Sequence, residues 1–260
     1  MRKYDVVVYG ATGFVGRLVT RYLAEHYPTA STGLRWGIAG RRRDALEEVR
    51  SACGLDEKID ILIFDLASPE TIDEITKNTK CVISVAGPFF KVGMPLIESC
   101  VKNAANYVDI TGEPLFIKKA GEQFHEEAAR KKLKIVNCCG HDCIPADTGC
   151  EMMIAEAEKR KLTPVECRYN VVGAKGGISG GTIHSALGHL LSDSAVIEAA
   201  KNPYFLCRTA PDDASLLKKN ADFSWFDFDV KEKFWCVANP MQVVVPLSFK
   251  FASCLTIPCS

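Results

Sequence analysis

The chain has 260 residues, of which 47% are hydrophobic and 25% charged. This composition is typical of globular proteins, and the length predicts one large or two modest domains. Lysine plus arginine equals aspartate plus glutamate at 32 each, so no charge excess indicates nucleic acid or an anionic membrane as a partner. The sequence contains no apolar stretch long enough to span a bilayer and no apolar signal-peptide core near its first residue. We therefore expect a cytoplasmic protein without a transmembrane segment.

The first predicted element is a strand followed by a glycine turn and a helix. Residues 6–9 form an apolar run typical of a strand buried on both faces, and apolar residues repeat at helical spacing from Leu18. The turn GATGFVG has the glycine spacing that admits a pyrophosphate to a helix N-terminus. The alternative is a glycine turn of another α/β fold. The predicted dinucleotide contacts are Gly10, Ala11, Thr12, Gly13, Phe14 and Val15.

The second predicted strand, residues 34–39, indicates which dinucleotide binds. Sites that prefer NAD place an acidic residue at this strand end to hold the ribose hydroxyls. Here Gly40 is followed by Arg41, Arg42 and Arg43, and guanidinium groups bind phosphate through paired hydrogen bonds. NADP(H) is therefore the predicted cofactor, with Arg41 as the foremost contact and Arg42 beside it. The alternative is a solvent-exposed basic start to the next helix.

Strands and helices continue to alternate up to residue 161. The predicted strands are residues 59–64, 81–86, 107–110 and 133–139; one helix begins at Pro69 with Ser68 as its cap, and others cover 92–105, 115–131 and 145–161. This order predicts an α/β doubly wound parallel sheet, a Rossmann domain over residues 1–145. Ligands lie beyond the carboxyl ends of such strands. The further predicted cofactor contacts at these ends are Asp65, Ala86, Gly87, Pro88, Thr111 and Gly112.

The end of the sixth predicted strand carries the candidate acid–base residues. His141 and Asp142 are the titratable side chains expected there, and an imidazole can serve as a general acid near neutral pH. The alternatives are that His141 is a partly exposed loop residue and that Asp142 is a turn acceptor before Pro145. Glu113 is expected to begin the following helix rather than to act on a substrate.

Beyond residue 145 the pattern predicts a smaller α+β domain over residues 146–260 that covers the cofactor. It would contain a strand at 165–173, a glycine-dense loop at 173–182 and a helix from Thr182. The chain has 12 cysteines, which we expect to be reduced thiols because no secretion signal is predicted. No metal site is predicted, because Cys138, Cys139, Cys143 and Cys150 lack the spacing of a Cys-x-x-Cys pair.

Six motifs together resemble the saccharopine dehydrogenase-like oxidoreductases. They are GATGFVG, AGR, VAGPF, YVDITGE, GHDCIPAD and SGGTIHSAL, and the likeness spans roughly residues 4–192. The resemblance implies an NADP-binding Rossmann domain and a second domain with a sheet. The family includes mycobacterial trans-acting enoyl reductases of glycolipid synthesis and animal members found with lipid droplets. Its members are longer, so we expect the second domain here to be incomplete or its end to have diverged.

Residues and resemblance together predict an NADP(H)-dependent oxidoreductase that transfers hydride to or from a C=C, C=O or C=N bond. A lipid-linked substrate and a peripheral position at a lipid droplet or membrane are favoured by the resemblance alone, and a homodimer is left open. The alternative is a catalytically silent NADPH-binding sensor or scaffold at a lipid surface. A true amino-acid dehydrogenase is less favoured, because the second domain offers few arginines besides Arg168 and Arg208 to bind a substrate carboxylate.

Overall fold

The computed structural model describes residues 2–65, 68–141, 143–164, 180–181, 205–206, 226–229 and 234–237. Six strands within them form one sheet in the order β3-β2-β1-β4-β5-β6, and all five pairings are parallel. The predicted α/β class and doubly wound parallel sheet are therefore confirmed. The strands are β1 (Tyr4–Tyr9), β2 (Trp36–Gly40), β3 (Asp60–Ile63), β4 (Thr79–Ser84), β5 (Asn106–Asp109) and β6 (Ile135–Val136).

Helices cover both faces of this sheet. Because side chains alternate along a strand, neighbouring residues of β1 point to opposite faces: Val8 packs with apolar residues of α1 and α3, whereas Val7 packs with those of α4, α5 and α6. Among the described residues, no helix is long and apolar enough to cross a membrane. The helices are α1 (Phe14–His26), α2 (Thr29–Thr32), α3 (Arg43–Ala52), α4 (Pro69–Lys77), α5 (Phe89–Lys102), α6 (Pro114–Arg130) and α7 (Ile144–Lys159).

The strand order creates a crevice between the ends of β1 and β4. After β3 the chain crosses back to place β4 beside β1, so the connections on either side of β1 run in opposite directions. The Gly10 N–H donates to the Ala39 carbonyl at 3.0 Å, and the Val85 N–H donates to the Tyr9 carbonyl at 2.9 Å. These bonds hold the ends of β2, β1 and β4 together at the switch point, where such sheets bind ligands.

The predicted bounds 81–86 of β4 and 92–105 of α5 are shifted by two and three residues from the observed ones. Two further local predictions also differ from the structure. β6 was expected over residues 133–139 but is only Ile135–Val136, because the Asn137 amide and the Cys138 N–H turn to the Asp109 carboxylate and Cys138 takes a φ of 58°. Pro69 does lie at the start of α4, but the Ser68 side chain makes no capping hydrogen bond. The Thr71 hydroxyl instead donates to the Ser68 carbonyl at 2.8 Å.

Most of the predicted second domain lies outside the described residues. This applies to the strand at 165–173, to the helix from Thr182 and to nearly all of the loop at 173–182. Of the part that is described, β7 (Phe226–Asp229) and β8 (Phe234–Val237) pair as antiparallel strands. The division of the chain between residues 145 and 146 stays a prediction.

The packing of α1 against the turn after β1 generates a stability prediction. A Cβ atom on Gly16 would lie 2.1 Å from the Gly10 carbonyl oxygen and 2.7 Å from the Ala11 Cα. Both are backbone atoms, so α1 would have to move away from the sheet. We expect Gly16→Ala to lower the free energy of unfolding by roughly 1–3 kcal/mol, the usual cost of overpacking, as measured by urea denaturation.

Gly121→Ala is the matched control for this variant. Gly121 lies inside α6, and a Cβ atom there would meet nothing within 4 Å. Alanine in a helix interior is favoured over glycine by roughly 0.5–1 kcal/mol, so this variant should gain stability. Equal effects of the two substitutions would contradict the steric explanation.

Candidate functional site

The turn between β1 and α1 leaves a helix N-terminus open at the crevice. Gly10 has a φ of 88°, and a Cβ atom on it would lie 2.8 Å from the Cβ of Ala86 at the end of β4. The Gly13 N–H donates to the Gly10 carbonyl at 3.0 Å and closes the turn. No side chain caps α1, and its first turn contains no acidic residue. Its first N–H groups and positive dipole end are therefore available to an anion.

The six predicted contacts of this turn differ in exposure. Gly13 and Phe14 are exposed, Gly10, Thr12 and Val15 are half-buried, and Ala11 is fully buried beneath the turn. A Cβ atom on Gly13 would meet only the Gly10 carbonyl oxygen, at 3.4 Å. The protein itself therefore has room for a side chain at position 13, which fits a glycine kept for the approach of a ligand.

The arginines after β2 take different positions. Arg42 and Arg43 are exposed and lie 3.8 Å from the carboxylates of Asp44 and Glu47 on α3. Arg41 and Asp65 lie close enough to Tyr9 for their charges to act on its hydroxyl. Burial raises the pKa of that hydroxyl, the positive charge of Arg41 lowers it and the negative charge of Asp65 raises it. Arg41 and Asp65 thus both lie by the buried end of β1, at the edge where the cofactor contacts were predicted.

The ends of β4 and β5 are connected by a side chain that the sequence did not single out for this role. Glu113 directly precedes α6, close to the predicted helix start, but its carboxylate reaches across to α5. One carboxylate oxygen accepts from the Phe89 N–H at 3.0 Å and the other from the Phe90 N–H at 2.7 Å. Glu113 is therefore a cap for α5. Ala86, Gly87 and Pro88 lead into that helix through a cis Gly87–Pro88 bond.

A second buried carboxylate, Asp109, holds the ends of β5 and β6 together. It accepts from the Tyr107 hydroxyl at 2.9 Å and the Asn137 amide at 2.7 Å. It also accepts from the backbone N–H groups of Thr111 at 3.0 Å and Cys138 at 3.2 Å. Burial raises the pKa of Asp109 to about 6, although these hydrogen bonds act in the opposite direction. The signal that could have found it is an acidic residue inside the buried strand of YVDITGE.

The candidate acid–base pair is only half described. His141 is exposed in the turn after β6, whereas Asp142 lies outside the described residues. Thr111 is buried, with its hydroxyl accepting from the Glu113 N–H at 3.2 Å, and Gly112 is exposed beside it. All the described members of the predicted site therefore lie at the carboxyl edge of the sheet, while their roles toward cofactor and substrate stay predictions.

Cys138 and Cys139 at this edge do not offer a reactive thiolate. A hydrogen bond with Cys143, together with burial, raises the pKa of the Cys138 thiol far above its usual range, and burial raises that of Cys139 to about 11. Such thiols stay protonated and are poor nucleophiles. None of the seven cysteines that the structure describes is in a disulfide, and no group of three or more His, Cys, Asp or Glu side chains among the described residues could hold a metal ion.

The part of the chain that forms this site matches a known protein family. Residues 6–136 match the model of the saccharopine dehydrogenase NADP-binding domain. The chain belongs to the saccharopine dehydrogenase family. The resemblance read from the six motifs is thereby confirmed, and so is NADP as the cofactor of the domain. The matched range covers the glycine turn, the arginines after β2 and both buried carboxylates.

Individual relatives of the saccharopine dehydrogenase family match this chain over parts of their length. A Mycobacterium tuberculosis protein provisionally named a trans-acting enoyl reductase is 35% identical over 212 residues, which are 79% of this chain and 49% of the relative. The human saccharopine dehydrogenase-like oxidoreductase is 37% identical over 157 residues, or 57% of this chain and 37% of the relative. The chain thus spans half or less of the length of these curated relatives.

A solved structure also matches. It is the apo saccharopine dehydrogenase (L-Glu forming) of Saccharomyces cerevisiae, with a TM-score of 0.48 and 17% sequence identity. The match covers 60% of this chain and 32% of the yeast chain.

The buried carboxylate of Asp109 predicts a specific pH dependence of stability. Its pKa is about 6 in the folded protein against 3.8 for an ordinary aspartate, so the folded state binds more protons between these values. The free energy of unfolding contributed by Asp109 therefore falls as the pH rises from about 4 to about 6, by roughly 3 kcal/mol in total. Denaturation across this interval should show wild type losing stability relative to Asp109→Asn as the pH rises; parallel profiles would contradict it.

Arg41 is predicted to select the phosphorylated cofactor. We expect Arg41→Ala to raise the Kd for NADPH about tenfold or more, the loss expected for a charge-assisted phosphate contact, and to leave the Kd for NADH unchanged. Isothermal titration with both nucleotides measures this. Arg43→Ala, which removes a neighbouring exposed guanidinium paired with Glu47, is the control and should affect neither. Equal weakening of NADPH and NADH in Arg41→Ala would assign Arg41 a different role.

Proposed function

We propose that this chain acts as an NADP(H)-dependent oxidoreductase that transfers hydride to or from a C=C, C=O or C=N bond of a lipid-linked substrate. The observation that carries the proposal is the uncapped N-terminus of α1 at the switch point of the sheet, with Arg41 at the end of the adjacent β2. Together they fit the pyrophosphate and the 2′-phosphate of one dinucleotide.

These two anchors fix the direction in which the cofactor would lie. With the 2′-phosphate at β2 and the pyrophosphate at α1, the nicotinamide half extends over β4 and β5. Gly87 and Gly112 at those strand ends would leave space for its ribose. Bound NADPH supplies the hydride, and the protein's part is to hold the nicotinamide against the substrate and to exclude competing reactions.

We place the proton donor for this reaction at the end of β6. His141 is exposed at the same edge of the sheet, where a substrate above the nicotinamide could contact it. In our proposal its imidazole acts as the general acid and donates a proton as the substrate takes up negative charge, and Asp142, which lies outside the described residues, is the second acid–base candidate. Asp109 is excluded from this role, because its carboxylate is 1% exposed and binds four protein donors.

The lipid-linked substrate is supported by the family relationship rather than by a described pocket. The Mycobacterium tuberculosis relative is provisionally named an enoyl reductase, and reduction of a conjugated C=C bond is within the proposed chemistry. A peripheral position at a lipid droplet or membrane and a homodimer belong to the same proposal. An exposed row of apolar side chains on α1, at Phe14, Leu18 and Tyr22, supports contact with an apolar surface.

Turnover tests the proposed function directly. Oxidation of NADPH by the full chain should be followed by absorbance with 2-enoyl and 3-keto lipids as acceptors. We expect His141→Ala to lower kcat about 100-fold or more, as loss of a general acid does, and to remove one limb of the pH–rate profile. Asp142→Asn should have a smaller effect in the same direction.

His26→Ala is the matched control, because His26 is exposed at the far end of α1 and stacks on Tyr22. It should leave kcat unchanged. If His141→Ala and Asp142→Asn both retained full turnover, the acid–base assignment would be wrong. Tight NADPH binding without turnover of any acceptor would favour the alternative, a catalytically silent sensor or scaffold.

A further inference from the structure

Among the helix N-termini at the carboxyl edge of the sheet, those of α1 and α5 follow the two strands at the switch point, and Glu113 distinguishes them. The N-terminus of α1 has no side-chain cap, whereas the Phe89 and Phe90 N–H groups of α5 both donate to the Glu113 carboxylate, at 3.0 Å and 2.7 Å. Glu113 is 7% exposed. A carboxylate at this position satisfies unpaired N–H groups and complements the helix dipole. The α5 N-terminus is thus closed to an anionic ligand, and the pyrophosphate has only α1 to bind among these two.

Glu113 is itself held by the ends of the neighbouring strands. Its N–H donates to the Thr111 hydroxyl at 3.2 Å, and the Thr111 N–H donates to Asp109 at 3.0 Å. Asp109 in turn accepts from the Asn137 amide of the segment after β6 at 2.7 Å. One continuous series of hydrogen bonds therefore connects the segments that follow β4, β5 and β6. Loss of the Glu113 carboxylate would remove these hydrogen bonds from the start of α5 and leave it held to α6 by packing such as that of Phe89 against Phe116.

We propose that Glu113 is a positioning residue for the nicotinamide half of the cofactor. By fastening the start of α5 to the β5–α6 loop, it sets the distance between Gly87 and Gly112, the two small residues between which the nicotinamide ribose would lie. This inference rests on the proposed function for the placement of the nicotinamide. In this role Glu113 does not contact the reacting atoms and acts through the β4–α5 and β5–α6 loops.

The position of Glu113 in the sheet makes its effect selective. The 2′-phosphate and pyrophosphate contacts lie on β2 and α1, and the bonds of Glu113 run to α5 and β5 instead. Loss of the Glu113 carboxylate should therefore disturb one half of the dinucleotide site and leave the other intact. A merely structural role would weaken both halves together.

The experiment compares two ligands on three variants of the full chain. The ligands are NADPH and adenosine 2′-phosphate 5′-diphosphate, which carries the adenosine, the 2′-phosphate and the pyrophosphate but neither the second ribose nor the nicotinamide. We expect Glu113→Gln to raise the Kd for NADPH about tenfold, because an amide replaces a charged acceptor of two N–H groups, with the Kd for adenosine 2′-phosphate 5′-diphosphate unchanged. Glu113→Asp retains a carboxylate and should lie between wild type and Glu113→Gln.

Glu122→Gln is the control, since Glu122 is an exposed glutamate on the same helix, paired only at the surface with Lys118 at 3.3 Å. It should bind both ligands as wild type does. An unchanged NADPH Kd in Glu113→Gln, or equal losses for both ligands, would overturn the positioning role. If Glu113→Gln fails to fold, the same ratio of Kd values in Glu113→Asp decides the question. A wild type that binds NADPH but turns over no acceptor counts against the proposed function and not against this role.

Discussion

The contact between the ends of β1 and β4 governs the arrangement of everything at the cofactor edge. Gly10 adopts a φ of 88°, and the space that its Cβ would fill is taken by Ala86, 2.8 Å away. Only a glycine lets the chain turn here at that distance, because other residues are strained at positive φ. The turn directs α1 back over the sheet with its N-terminus at the crevice. The phosphate site and the loops after β4 are therefore adjacent as a consequence of one backbone contact.

The electrostatics of this edge then follow from where carboxylates are buried. α1 begins without an acidic residue in its first turn, so its positive end is uncompensated, whereas the positive end of α5 is compensated by Glu113. Asp109 lies deeper, and its charge is stabilised by four hydrogen bonds although burial opposes it. Both carboxylates work inside the protein to fix the backbone. Both accept hydrogen bonds from protein donors, and neither caps α1, whose N-terminus therefore remains the position for an anionic ligand.

The existence of the six strands and their doubly wound parallel arrangement could be predicted from the sequence, because each strand is a local apolar run and the helices between them have a local apolar period. The glycine turn and the arginines after β2 were also local signals. β6 was predicted too long, since its end is determined by bonds from Asn137 and Cys138 to Asp109, 28 and 29 residues away. The cap that Glu113 makes on α5 was missed for the same reason: its partners precede it by 23 and 24 residues. Periodicity carries no information about contacts between distant side chains and backbone groups.

The proposed chemistry places one demand on the protein that is common to all three candidate bonds. When hydride adds to a C=C bond conjugated to a carbonyl, to a C=O bond or to a C=N bond, negative charge develops on a neighbouring atom that must receive one proton. In the proposed complex, the His141 imidazole would meet this demand in each case. His141 therefore suits the class of reaction without selecting a member of it. The choice among C=C, C=O and C=N substrates must therefore come from the shape and polarity of the space around His141. The three bond types differ in which atom receives the proton, and that atom would lie in this space.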